Sequence, residues 1–397
     1  MRVESIEIKN YRVFRDVLIG DANHAPLPNM SVFIGANGSG KSTLFDVFGF
    51  LRDALIGNVH SALQKRGGFS EVRSRDADGP IHIEIKFRER AKRPLVTYGL
   101  TINEENGRPF VEREVLRYRR GSRGQPWHFL DFRRGEGSAI TNEMANVESE
   151  SDMNREDQVL ESPDILAIKG LGQFTKFQAA STFRRLIENW HVSDFHIEHA
   201  RPSQEAGVAE HLSPTGENLP LVAQYLYERH REVFDSILKT MARRVPGIER
   251  VEAESTVDGR IVLRFQDGAF KDPFVARYVS DGTIKMFAYL VLLYDPSPHP
   301  LLCVEEPENQ LYPTLLHELA EEFRTYADRG GQVLVSTHSP DFLNAVRVEE
   351  IFWLVKQDGY TQIRPAAKNQ LICDLIQEGD LAGALWKQGL FEGADPQ

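Results

Sequence analysis

The sequence predicts an α/β fold with a mostly parallel core sheet, an antiparallel β-lobe and a helical lobe. Three observations predict it. Gly35-Ala36-Asn37-Gly38-Ser39-Gly40-Lys41-Ser42 fits the phosphate-cradling pattern G-x-x-x-x-G-K-[ST] and lies between a strand-like run, 30–34, and a helix-like run, 42–48. Short apolar runs at 301–304, 332–336 and 350–355 are separated by helix-length segments, as in a parallel sheet. Segments alternating apolar with polar residues recur from 81 to 131, as in an antiparallel sheet with one wet face.

Each element has its own signal. Residues 1–9 alternate as a half-buried strand and lead into Asn10-Tyr11-Arg12-Val13-Phe14. In the phosphate loop, glycines let successive backbone N–H groups turn inward, the helix start adds its positive dipole end, and Lys41 adds a point charge. Ser42 is then the hydroxyl expected on Mg²⁺, and Thr43 is the next residue of the same cradle. Strands are expected at 81–87, 95–102, 111–118 and 127–132, with Glu105-Asn106-Gly107 as a hairpin turn. The acidic stretch 148–157 reads as a mobile loop for want of apolar content. Helical spacing follows at 181–190 and through 219–244, then a strand at 260–265 and a helix at 283–294. The helix 311–326 tolerates Pro313 only in its first turn. No heptad run is long enough for an extended coiled coil. The expected division is 1–145 with the phosphate loop and β-lobe, 146–255 with the acidic loop and helical lobe, and 256–397 returning to the core sheet.

Composition sets outer bounds. With 397 residues and 41% apolar content, a sizeable core is available. The longest apolar run, 286–294, is far short of a bilayer span, and the first residues lack a basic-then-apolar leader, so a cytoplasmic location without membrane partners is expected. Two cysteines, Cys303 and Cys373, exclude a disulfide framework or a Cys-rich zinc site. A net charge of −11 argues against coating by nucleic acid but leaves local basic patches open.

The chemistry is expected at two strand ends. The run 301–304 ends in Glu305-Glu306-Pro307-Glu308-Asn309, placing carboxylates at the carboxyl edge of the sheet, where open α/β sheets bind ligands. Hydrolysis needs one acidic group for Mg²⁺ and another for the attacking water; Glu305 is assigned to the metal and Glu306 to the water. Ser336-Thr337-His338-Ser339-Pro340 repeats the arrangement, with His338 able to donate a hydrogen bond to a terminal phosphate. The expected catalytic set is Glu306, His338 and Lys41.

Taken in order with Ser280-Asp281-Gly282-Thr283 and the opening Ile8-Lys9-Asn10-Tyr11-Arg12-Val13-Phe14, these motifs resemble the ABC-type ATPases of the RecF, SMC and OLD group. The short bacterial and archaeal AAA-type ATPases found beside phage-defence genes are the most similar. The resemblance implies an ABC-type P-loop NTPase head that hydrolyses ATP with Mg²⁺ between two subunits. Ser280, Asp281 and Gly282 of one chain would close over the phosphate held by Gly40, Lys41 and Ser42 of the other. It implies a dimerising switch in DNA-related processes such as anti-phage defence or repair, acting with a separately encoded effector; the alternative is an ATP-dependent scaffold that restrains a partner nuclease or toxin with little hydrolysis. OLD relatives carry a nuclease domain after the histidine strand; the stretch after His338 is too short for one, so any nuclease is expected on another chain. The sequence departs from transporter relatives at Glu305 and Asp281, and only Gln64 and Gln173 offer themselves for a glutamine loop. Lys65, Arg66, Arg73 and Arg75, and Arg117, Arg119, Arg120 and Arg123 with Tyr118 and Trp127, either grip a nucleic-acid backbone or guard strand edges.

Overall fold

The structure, a computed structural model, describes residues 2–89, 93–120, 125–143, 147 and 149–394; Arg123 and Glu148 lie outside them. The core is a six-stranded sheet in the order His191–Ser193, Leu302–Glu305, Val333–Ser336, Met30–Gly35, Ile351–Gln357 and Tyr360–Pro365. The first five strands run parallel and the last pairs antiparallel with its neighbour. Near-continuous apolar strands are what a sheet covered on both faces requires. The alternation along Met30–Gly35 shows it: Met30, Val32 and Ile34 pack into one cluster with the helices Asp281–Leu293 and Pro313–Asp328, while Phe33 packs into another with the helix Lys41–Ile56. Pro313 occupies the first turn of its helix, where its missing N–H costs nothing.

The antiparallel sheet has eight strands, ordered Phe14–Ile19, Arg2–Tyr11, Ile81–Arg88, Val96–Glu105, Arg108–Tyr118, Trp127–Arg133, Glu136–Ile140 and Arg155–Val159. Asn106 and Gly107 both take positive φ, 53° and 74°, in the two-residue turn read from the sequence. The Gln332 side chain links the two sheets: its amide accepts from the Val3 N–H at 2.9 Å and donates to the Val3 carbonyl at 2.9 Å.

Two expectations are corrected. The acidic stretch is partly ordered, with a 3₁₀ turn at Glu150–Asp152 and an edge strand, Arg155–Val159, paired to Glu136–Ile140. An edge strand needs only backbone partners, and charged side chains keep its open side from pairing further. The helix expected over 219–244 is two helices, Leu219–Arg229 and Arg231–Arg244, divided at His230 (φ −135°, ψ 54°), so that Val222 and Leu226 of one and Phe234, Ile237 and Met241 of the other share a core. Strand pairing continues across residues 145/146 and, through the hairpin Ile248–Ser255 with Arg260–Asp267, across 255/256. No helix among the described residues is long and apolar enough to cross a membrane.

A buried carboxylate sits where the β-lobe meets the helices. Glu114 is fully buried and accepts from the Tyr98 hydroxyl at 3.1 Å and the backbone N–H groups of Ala167 and Ile168 at 2.5 and 3.1 Å. Burial pushes its pKa up to about 7, against the pull of those donors. The folded state therefore holds a proton that the unfolded chain has lost, and this contribution to stability is lost as pH rises through about 7. In urea melts between pH 5 and pH 8, Glu114→Gln is expected to be less stable at every pH, by about 1–3 kcal/mol, and to show less loss of stability with rising pH than the wild type.

Candidate functional site

The phosphate loop is built on glycine geometry and held by a distant hairpin. Gly40 has φ 105°, and a Cβ there would lie 2.8 Å from Val13 Cγ2 and 3.0 Å from Thr361 Oγ1. Thr361 donates its hydroxyl to the Ser39 carbonyl at 2.6 Å and its N–H to the Val13 carbonyl at 2.9 Å, so the Tyr360–Pro365 strand braces the loop. Lys41 is buried, and its ammonium donates to the carbonyls of Gly35 and Ala36 at 2.7 and 3.1 Å. Burial lowers its pKa to about 8, a pull that Glu306, Glu308 and Glu305 only partly offset. Asn37, Gly38 and Ser42 are exposed at the loop's open side, and the Ser39 hydroxyl is buried without a partner.

The helix after the loop is fixed from the N-terminus of the chain. Asp46 accepts from the Tyr11 hydroxyl at 2.8 Å and from Arg66 Nε at 2.6 Å, with Arg12 3.3 Å away. The segment around Asn10-Tyr11-Arg12 thus positions the first helix.

The carboxylates stand at the end of the strand two places from the loop strand, with the histidine strand between them. Register pairs Glu305 with Ser336 and Ser336 with Phe33, so both motif ends reach one edge of the sheet as the loop does. Burial raises the Glu305 pKa; a hydrogen bond from the Ser42 side chain opposes this, and Asp194, Glu306 and Asp46 add to it. Serine hydroxyl and carboxylate thus meet as the oxygen donors a hard cation takes. Glu306 sits at φ 43°, unusual for a non-glycine residue. Its two oxygens face His338 Nε2 at 3.4 Å and Asn309 Nδ2 at 2.9 Å. His338 is held below the usual histidine range by burial and by the Lys41 charge, so its ring is neutral near pH 7.

Several participants were not singled out from sequence. Glu308 accepts from the His338 N–H at 2.5 Å, its second oxygen is buried without a partner, and burial raises its pKa. Lys285 is buried, donates to the Asn309 carbonyl at 2.7 Å, and has its pKa lowered by burial to about 8. Asp194, just beyond the edge strand His191–Ser193, borders the same cleft of about 760 Å³ with Asp46, Lys285, Glu305, Glu306 and Asn309. A lysine alone among the apolar residues 284–293 was a legible signal; a three-residue strand before Asp194 gave none.

Ser280 is exposed and caps the helix Asp281–Leu293, its hydroxyl accepting from the Thr283 N–H at 3.3 Å; Asp281 pairs with Arg201, and Gly282 lies against the Gln310 backbone. Gln64 contacts His60 and Gln173 contacts the Lys169 carbonyl, neither at the cleft. The basic clusters are largely engaged: Lys65 with Asp53, Arg66 with Asp46 and Asp53, Arg75 with Glu71, and Arg117 with Glu84. Arg73 lies over Phe69 and Arg120 over Trp127.

A family model described as "AAA domain, putative AbiEii toxin, Type IV TA system" matches residues 30–344. A search of curated proteins found no match. Among solved structures, an SMC head bound to the C-winged helix domain of ScpA is similar, with TM-score 0.54, 16% identity, and coverage of 92% of this chain and 97% of that one. An SMC head domain with an extended coiled coil, bound to the C-terminal domain of ScpA derived from Pyrococcus furiosus, is similar with TM-score 0.51, 13% identity, and coverage of 94% and 99%. At these identities the likeness is one of fold.

Glycine at position 40 answers both to backbone conformation and to crowding, whereas Gly38, at φ 73°, has nothing within 4 Å of where a Cβ would stand. Urea denaturation is expected to show Gly40→Ala losing about 1–3 kcal/mol or more, and Gly38→Ala losing less.

Proposed function

Because the chain belongs to this AAA-domain family and has the ABC- and SMC-like P-loop ATPase fold, we propose that it is an ATP-driven dimerising switch. The observation that carries the reading is the convergence of Lys41, Ser42, Glu305, Glu306 and His338 on one edge of three adjacent core strands. The residues fit a magnesium nucleotide: the loop has open N–H groups at Asn37 and Gly38, Ser39 and Glu308 keep unpartnered buried oxygens, and Ser42 and Glu305 supply hard oxygen donors.

In this reading residues 35–43 hold the phosphates of ATP, and Lys41 turns from its own loop carbonyls to the terminal phosphates. Ser42 and Glu305 would hold Mg²⁺, which supplies charge neutralisation at the phosphates. Glu306 orients a water and accepts its proton, Asn309 fixes the Glu306 carboxylate, and the single N–H of the neutral His338 ring would donate to the charge that develops on the phosphoryl oxygens. Across the dimer, the Ser280 hydroxyl and the helix N-terminus at Asp281 and Gly282 would cap the partner's phosphate. Support for self-association comes from exposed aromatics beside Ser280: Tyr278 is 77% and Phe274 39% exposed.

Opening and closing of the pair is the signal, read by the helical lobe from about 160 to 250 and passed to a separately encoded effector in a DNA-related process such as phage defence or repair. The engaged arginines make a direct grip on DNA by the two basic clusters a weaker part of the reading. The second reading, an ATP-dependent scaffold that restrains a nuclease or toxin with little turnover, is favoured by one feature. Glu306 already accepts from Asn309 Nδ2 at 2.9 Å and faces His338 Nε2 at 3.4 Å, so a water would have to share the carboxylate with them.

Nucleotide binding by equilibrium fluorescence, phosphate release and native mass separate these outcomes. Lys41→Ala is expected to abolish binding. Glu306→Gln should keep binding, lower turnover by about 100-fold or more and accumulate the ATP-bound dimer. Ser280→Ala should leave monomer binding intact and weaken the dimer. No turnover in the wild type, with an assembly state indifferent to ATP and to Glu306→Gln, would defeat the switch; binding with negligible turnover even beside the partner would select the scaffold.

A further inference from the structure

Far from the carboxylate edge, the opposite end of the core sheet gathers histidines. Among the described residues, His211, Asp295 and His299 bring one ligand atom each to within 4.8 Å of one another. His191, the first residue of the edge strand, places its ring 4.9 Å from that of His299. We propose that His211, Asp295 and His299 form a site for a single imidazole-seeking divalent metal, zinc first, that pins the segment containing His211 to the core.

Three features argue for a ligand. His299 Nδ1 lies 3.0 Å from the Asn189 carbonyl, which can only accept, so Nδ1 carries the proton and Nε2 the lone pair. That Nε2 is buried and has no partner. A histidine whose far nitrogen donates to a carbonyl while the near one offers a lone pair is the arrangement in which proteins orient metal ligands. His191, itself 3% exposed, also has a buried Nε2 without a partner beside this group.

The third feature is the pair His211 and Asp295, whose Nδ1 and Oδ2 stand 2.7 Å apart, with Asp295 buried at the end of the helix Asp281–Leu293. An ion with ligands at about 2.0–2.2 Å takes the place of the proton they share, the three ligand atoms, which lie within 4.8 Å of one another, closing round it.

The site would act structurally. His211 belongs to the segment before the helix Leu219–Arg229, Asp295 follows the helix that Ser280 caps, and His299 precedes the strand that ends in Glu305. One ion would tie the three together, and the reading of the carboxylate edge does not depend on it.

Protein purified without immobilised metal is analysed by elemental mass spectrometry, then stripped with chelator and titrated with Zn²⁺ alone against a chromophoric competitor; Co²⁺ serves as a visible probe. About one zinc per chain, a cobalt absorption band and a zinc-dependent rise in Tm are expected. His211→Ala, at a side chain 42% exposed, should fold and lose at least about 10–100-fold in zinc affinity and the Tm response. Asp295→Asn should lose affinity as well. Wild-type binding no tighter than that of His211→Ala would overturn the proposal. So would zinc binding that vanishes with Glu305→Gln or Cys373→Ser, because the ion would then sit elsewhere.

Discussion

A parallel sheet covered on both faces leaves the chain only its strand ends for charge, and the rest of this molecule follows from that constraint. Val32, Phe33 and Ile34 are fully buried, as are Cys303, Val304 and Val335. A carboxylate or lysine inside that layer would lose its hydration with nothing to replace it. The chain therefore turns polar where each strand stops: at Gly35, Glu305 and Ser336. Three separate stretches of sequence deliver their reactive groups to one edge because the same physics ends all three strands.

Charge of both signs meets at that edge, and burial sets its terms. Lys41 and Lys285 both have their pKa values lowered to about 8 by desolvation in spite of glutamates beside them, while Glu305 and Glu308 are raised by the same cause. Opposite charges are thus held in a site that only partly solvates them. Such a site is poised to accept a ligand that brings both a polyanion and a cation.

The sheets, the phosphate loop and the order of the motifs were legible because they rest on period, glycine geometry and strand-end polarity. Lys285 could have been read as the one charge beyond the first turn of an apolar helix. Asp194 could not, because its strand is three residues long and pairs only with Leu302–Glu305, a partner distant in sequence. The edge strand Arg155–Val159 was invisible to composition, since its stability comes from backbone pairing with Glu136–Ile140. The break at His230 escaped because the spacing on either side is helical and only the shared core turns the second helix back. Helix and strand periods report local burial; they do not report which distant segment completes a neighbourhood.

The position of Met30–Gly35 between Val333–Ser336 and Ile351–Gln357 has a consequence for biosynthesis. This strand emerges from the ribosome about 300 residues before either of its hydrogen-bonding neighbours. At about 5–20 residues per second, a bare apolar ribbon with two open edges persists for some tens of seconds. Folding of the nascent chain must wait with its central thread unpaired, and holdase chaperones have a natural client in that interval.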